Sequence, residues 1–229
     1  MVMLTHFRLC PRSRSIRLLL AEIGLDPELV EHRPWEYRAE LLALNPAGEL
    51  PVLQIDNGPV LCGAYAISEY VADELRQHAV PGRQPPLFPG DRGDRAEVRR
   101  LVDWFHGKLD REVTRELLEE RVYRAYRGST SPEAQVLRAA RANLRYHLSY
   151  IAYLAHQRRW LAGEDMSFAD LAAAAHLSTL DYLGEIPWQE HEGVKQWYQR
   201  IKSRPSFRPL LADRISGTPA PLHYADLDF

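Results

Sequence analysis

The stretch from Gly48 to Ile67 constrains the fold of this chain more than any other. Leu50-Pro51-Val52-Leu53 reads as a strand opened by proline. Proline tolerates that position because its missing N–H leaves no central ladder bond unmade. Asp56-Asn57-Gly58, between two apolar runs, predicts a tight hairpin. Val60 and Leu61 begin the return strand. Gly63 and Ala64 then lead into a helix from about Tyr65 to Leu75.

Two strands are not a sheet, so the residues before them matter. Val2 to Phe7 reads as a short apolar strand. Cys10-Pro11-Arg12-Ser13 follows as a loop. Ser15 to Gly24 predicts a helix with Ile16, Leu19, Leu20 and Ile23 on one face and Gly24 as its stop. Val30 to Arg33 is the second strand, and a parallel pair requires such a helical crossover. Trp35 to Leu44 reads as a loose polar helix, and Asn45 to Gly48 as a turn. Residues 1–78 are therefore expected to form an α/β unit of order β-α-β-α-β-β-α.

The stretch 79–93 holds Pro81, Pro85, Pro86 and Pro89 with three glycines, which is linker chemistry. Everything after it reads as helix, over 94–215. Between Arg95 and Arg127, residues Val98, Val102, Phe105, Leu109, Val113 and Leu117 form a stripe of near-3.6 spacing. Ser131-Pro132 predicts the start of a second long helix, with proline at its first position. Ser167-Phe168-Ala169-Asp170 is a capping box, which assigns Ser167 and Asp170 a structural role. Val194 to Arg204 is a clear helix, and Phe207 to Ile215 a shorter piece. Residues 216–229 form a tail that Pro219 and Pro221 keep from being helical.

With 229 residues and 45% hydrophobic content, the chain can build one large core or two small ones. A net charge of −2 implies no general attraction to nucleic acid. Two cysteines, Cys10 and Cys62, make no disulfide framework and fit a reducing cytosol. No apolar run approaches the roughly 18 residues of a membrane span. Residues 1–10 have no signal-peptide layout. The histidines are scattered without metal-ligand spacing, so no metal and no cofactor is expected. His147 and His156 read as helix residues. Arg99-Arg100 and Arg158-Arg159 read as solvated faces.

Several segments together resemble the glutathione transferases (GSTs). They are Ser15 to Leu25, Asn45-Pro46-x-Gly48-x-Leu50-Pro51-Val52-Leu53, Ala66-Ile67-x-Glu69-Tyr70 and Ser167 to Asp170. The resemblance implies a thioredoxin-like N-terminal domain and an all-helical C-terminal domain. It also implies a cis Pro51, whose preceding residue Leu50 offers its backbone to a bound peptide. The ending Tyr224 to Phe229 resembles the tail of a GST-like subgroup of alphaproteobacteria that binds the tubulin-like division protein FtsZ. That second resemblance implies a cytoplasmic homodimer at the division site that binds FtsZ filaments without transferase activity.

An enzyme of the family needs a group beside the thiol of glutathione, and Cys10 and Ser13 are the candidates. Cys10 reads either as a mixed-disulfide nucleophile or as a small residue that ends a strand. The family also uses an acidic residue and a hydroxyl for the γ-glutamyl end, where this chain has Gly63 and Ala64. A hydrogen bond to a charged group contributes roughly 1.5–3 kcal/mol, so two lost bonds remove about two to four decades of affinity. The glutathione site of Leu50, Pro51, Gly63 and Ala64 therefore reads as degenerate. The alternative is a Cys10-dependent transferase with weak glutathione binding. Trp35 and Tyr37 read either as local packing or as part of a partner surface. The tail residues Tyr224, Asp226, Leu227, Asp228 and Phe229 either pack back on the body or anchor the partner.

Overall fold

The computed structural model describes residues 2–77, 87–129 and 131–228. The expected linker 79–93 falls largely outside them, as does Phe229. Four strands form one mixed sheet of order β2-β1-β3-β4: β1 (Val2–His6), β2 (Glu28–Glu31), β3 (Val52–Ile55) and β4 (Val60–Cys62). β1 and β2 are parallel, joined through helix α1 (Pro11–Glu22). β1–β3 and β3–β4 are antiparallel, with Leu4 opposite Leu53 and Leu53 opposite Leu61. A 3-10 turn (Pro34–Glu36) and α2 (Ala39–Leu44) cover the approach to β3. Helix α3 (Ala64–Gln77) completes this thioredoxin-like unit.

The Leu50–Pro51 peptide is cis, as the family pattern implies. The hairpin places Asn57 at φ 57, the left-handed conformation asparagine tolerates. Gly63, between β4 and α3, has φ 86, a value that favours glycine. Its N–H donates to the Pro51 carbonyl at 2.9 Å, so the turn into α3 is tied to the cis-proline.

The rest is helical. α4 (Arg92–Asp103) runs on through a π-helical stretch (Trp104–Thr114), α5 (Arg115–Leu118), a second π stretch (Glu119–Tyr123) and α6 (Arg124–Tyr126). The stripe from Val98 to Leu117 is buried along its whole length. α7 (Ala134–Gln157) packs on that rod. α8 (Phe168–Tyr182) is buried on every side. α9 (Glu192–Lys202) and α10 (Arg208–Leu211) close the domain. The small residues Ala172 to Ala175 let α1 approach α8 closely, and a single hydrophobic cluster spans both halves of the chain.

The capping box of α8 is formed. Ser167 Oγ accepts from Ala169 N at 3.3 Å, and Asp170 accepts from Ser167 N at 3.0 Å. Asp170 also accepts from Leu161 N and from the Trp197 indole, so one buried carboxylate fixes three segments.

Several expectations are corrected. Cys10 to Ser13 is not a loop: α1 begins at Pro11 with Cys10 as its N-cap, because proline suits the first helical position. β2 lies two residues earlier than expected, since the pairing of Met3 with Glu28 sets its register. Ser131-Pro132 does not start α7; Glu133 caps it, its N–H held by Glu120 at 2.7 Å. Residues 92 and 93 belong to α4 rather than to a linker, because Asp91 and Asp94 form a second capping box. The piece after Phe207 is only the short α10.

Candidate functional site

The junction of the two units holds a cleft of about 340 Å³. Its floor is the N-cap of α1 at Cys10 and the backbone at Leu50. Asn45 shapes that backbone, donating to the Glu49 carbonyl at 2.8 Å and accepting from Ala47 N at 3.2 Å. Trp35, Tyr37 and Tyr123 form one wall. Trp35 is packed in place, 4.7 Å from Tyr123, 5.0 Å from Tyr126 and 5.2 Å from Phe7. It is therefore a structural member of an aromatic cluster that also shows one face to the cleft. Tyr37 differs. It is 66% exposed at φ 44, an uncommon conformation for a large side chain and one that holds it out on the rim.

The thiol chemistry is weak. Burial pushes the Cys10 thiol up from its ordinary value, and the smaller help of Ser13 and Arg12 does not offset it. Catalytic cysteines need the reverse shift. Ser13 is fully buried and accepts from Phe7 N at 3.4 Å, which keeps its hydroxyl away from any ligand. Arg12, the nearest cation, is already held by Glu49 at 3.1 Å, Asp110 at 3.3 Å and the His106 carbonyl at 3.0 Å. Asp110 also meets Arg115 at 3.1 Å, yet burial dominates and holds its carboxyl above the usual range.

Gly63 and Ala64 do not line the cleft. Ala64 is buried at the start of α3, and neither residue has a side chain that can bind an ammonium or a carboxylate.

The described tail runs to Asp228. Leu222–Ala225 forms a 3-10 turn. Tyr224 is 0% exposed, which corrects its expected place on the partner surface. Its hydroxyl accepts from Arg14 at 2.9 Å and donates to the Leu210 carbonyl at 3.0 Å. Asp226, Leu227 and Asp228 are exposed. The cleft wall connects to the start of this tail, because Tyr126, stacked on Trp35, donates to the Ser216 carbonyl at 3.0 Å.

Sequence reasoning missed the buried polar groups around the cleft. Arg14 and Arg17 both reach Asp213, at 3.3 and 2.8 Å. Ser15, His106, His176 and Thr114 form one buried hydrogen-bonded chain. Asp181 and Lys202 form an ion pair at 3.5 Å with both side chains 0% exposed. The one available signal lay in α8, where His176, Ser178, Thr179 and Asp181 interrupt an otherwise apolar helix and so need partners.

The model of the glutathione S-transferase N-terminal domain matches residues 9–74, and that of the C-terminal domain matches residues 115–205. The chain belongs to the glutathione S-transferase family. Within it, FtsZ-localized protein A of Caulobacter vibrioides is 44% identical, over 99% of this chain and 97% of that protein. The solved structure of FzlA from C. crescentus has a TM-score of 0.92 at 43% identity, over 100% of this chain and 99% of that one. A glutathione S-transferase from Sinorhizobium meliloti has a TM-score of 0.94 at 48% identity, with both chains covered completely. Among the described residues no helix is long and apolar enough to cross a membrane.

Proposed function

We propose that this protein binds FtsZ filaments in the cytoplasm at the division site and performs no glutathione transfer. The observation that carries the reading is the cleft, which keeps the cis-proline but has a protonated thiol and no side chain for the γ-glutamyl end. The similarity to FtsZ-localized protein A supports the choice of partner. The binding surface joins Tyr37 and the exposed edge of Trp35 to Asp226, Leu227, Asp228 and Phe229. Two copies of the chain bind together and so present two such surfaces to one filament, which multiplies weak contacts. The exposed Tyr146 on α7, whose ring lies 6.3 Å from that of Trp104, and the exposed Tyr153 two turns on provide an aromatic face for that homodimer.

Glutathione is expected to bind in the millimolar range or not at all in calorimetric titration. A micromolar dissociation constant would return the cleft to transferase chemistry. Truncation after Ala225 is expected to abolish co-sedimentation with polymerised FtsZ while the melting temperature stays unchanged. Light scattering on the same samples should give the mass of a dimer. Undiminished sedimentation removes the tail from the surface, and a monomer mass removes the paired-surface argument.

A further inference from the structure

The C-terminal segment divides into two parts with different surroundings. Tyr224 is held by Arg14, whose guanidinium also donates to Ser178 at 2.8 Å on α8 and to the Arg8 carbonyl at 2.6 Å, and meets Asp213 at 3.3 Å. One fully buried side chain thus joins the loop after β1, helix α8, the segment after α10 and the tail. The Tyr224 ring packs edge-on against Tyr182 at 5.2 Å. His223 adds a contact to Asp181 at 3.0 Å, and its carbonyl accepts from Lys202 at 3.5 Å.

Past Ala225 the surroundings change. Asp226 turns back on its own chain, accepting from Asp228 N at 2.9 Å. Gln199 on α9 donates to the Leu227 carbonyl at 3.2 Å. Asp226 and Asp228 are exposed, Asp226 acts on the buried Lys202 only as a nearby charge, and Leu227 is 42% exposed. No Lys or Arg follows Arg214. Two exposed carboxylates around an exposed leucine match a surface that offers cations around an apolar notch.

We propose that Arg14 and Tyr224 are positioning residues: they clamp the tail so that Asp226, Leu227 and Asp228 stand out as a preformed acidic and apolar epitope for a basic protein surface. The proposal rests on the filament-binding reading for the identity of that surface. Its physical basis is preorganisation, since a segment already held in its bound shape loses less freedom on association. Arg12 of the cleft and Arg14 of the clamp lie in the same turn of α1, so one helix start holds both parts of the proposed surface.

The test is co-sedimentation with polymerised FtsZ of Caulobacter vibrioides, paired with amide hydrogen exchange. Tyr224→Phe keeps the ring on Tyr182 and loses both hydroxyl bonds; the expected loss of affinity is about tenfold, the scale of lost preorganisation. Gln199→Ala, on the surface, is expected to weaken binding in the same direction without any risk to folding. A free peptide of residues 222–229 should compete only at roughly 100-fold or higher concentration than the whole protein. Wild-type affinity in both variants, or competition by the peptide at equal concentration, overturns the proposal. If the wild-type protein fails to sediment, the filament reading falls, and exchange decides the clamp. The amides of Tyr224 and Asp226 should be protected in the wild type and exposed in Tyr224→Phe, and their exposure in the wild type overturns it.

Discussion

Replacing Lys202 with methionine is expected to lower stability by about 3 kcal/mol, and the melting temperature by roughly 10 °C. Lys202 is fully buried opposite Asp181, which is fully buried too. Removing both charges together is often nearly neutral, whereas removing one leaves the other without compensation in a poorly polar interior. Trp188 at 2.8 Å and His223 at 3.0 Å would still bond one Asp181 oxygen, which keeps the expected loss at the low end of the range for broken buried pairs. Burial already holds the Asp181 carboxyl above its usual range despite the lysine. Without Lys202 the carboxyl is driven further toward its protonated form, so the deficit should shrink as the pH falls. The double variant Lys202→Met with Asp181→Asn should recover most of the loss. Urea denaturation of the single and double variants measures the coupling. A single-variant deficit under about 1 kcal/mol, or no recovery in the double, contradicts a charge pair as the cause.

The second large effect is loss of stability in mild acid. Of the buried histidines, three are shifted furthest toward the neutral form, chiefly by burial: His6, brought down to about 4, His106, brought down to about 3, and His176, well below its ordinary value. The hydrogen bonds around the last two fix the proton positions. Ser15 Oγ donates to the Arg12 carbonyl at 2.8 Å, so it accepts from His106 Nε2. His106 Nδ1 then accepts from His176 Nε2, and His176 Nδ1 accepts from Thr114. A proton added to either ring would set two N–H groups against one another or against a hydroxyl.

In the unfolded chain these rings titrate near 6.5, so below that pH the unfolded state binds protons that the folded state refuses. Stability is therefore complete above about pH 6.5 and falls with decreasing pH until the folded values are reached. At pH 5 each histidine costs about 2 kcal/mol. The raised carboxyls of Asp110, Asp170 and Asp181 act in the opposite sense, because the folded state takes up their protons first. A comparison isolates the histidines: the variant His106→Gln/His176→Gln should lose about 4 kcal/mol less than wild type between pH 7 and pH 5. Equal pH dependence in the two proteins would mean that these rings are not the acid-sensitive groups.

The legible parts of the structure share one property, which is that short-range rules produce them. Asn57-Gly58 specified the hairpin, the stripe from Val98 to Leu117 specified the long rod, and Ser167 with Asp170 specified the start of α8. The absence of a polar side chain at Gly63 and Ala64 was readable for the same reason, since it does not depend on the fold. Helix starts were less legible. Pro11 reads as part of a loop and Pro132 as a helix start, yet α1 begins at the first, while α7 begins two residues beyond the second because Glu120 captures the amide of Glu133.

The sequence by itself thus determined the thioredoxin-like and helical units and their order. Only the tertiary structure decided that Tyr224 is an anchor and not a contact, that Cys10 sits where its thiol stays protonated, and that Arg14, His106 and Lys202 are buried. Arg14 meets Tyr224 across 210 residues, and Arg12 meets the His106 carbonyl across 94. Periodicity reports which face of an element is apolar. It does not report which distant group will be waiting there, and for a buried polar side chain that partner is what decides its role.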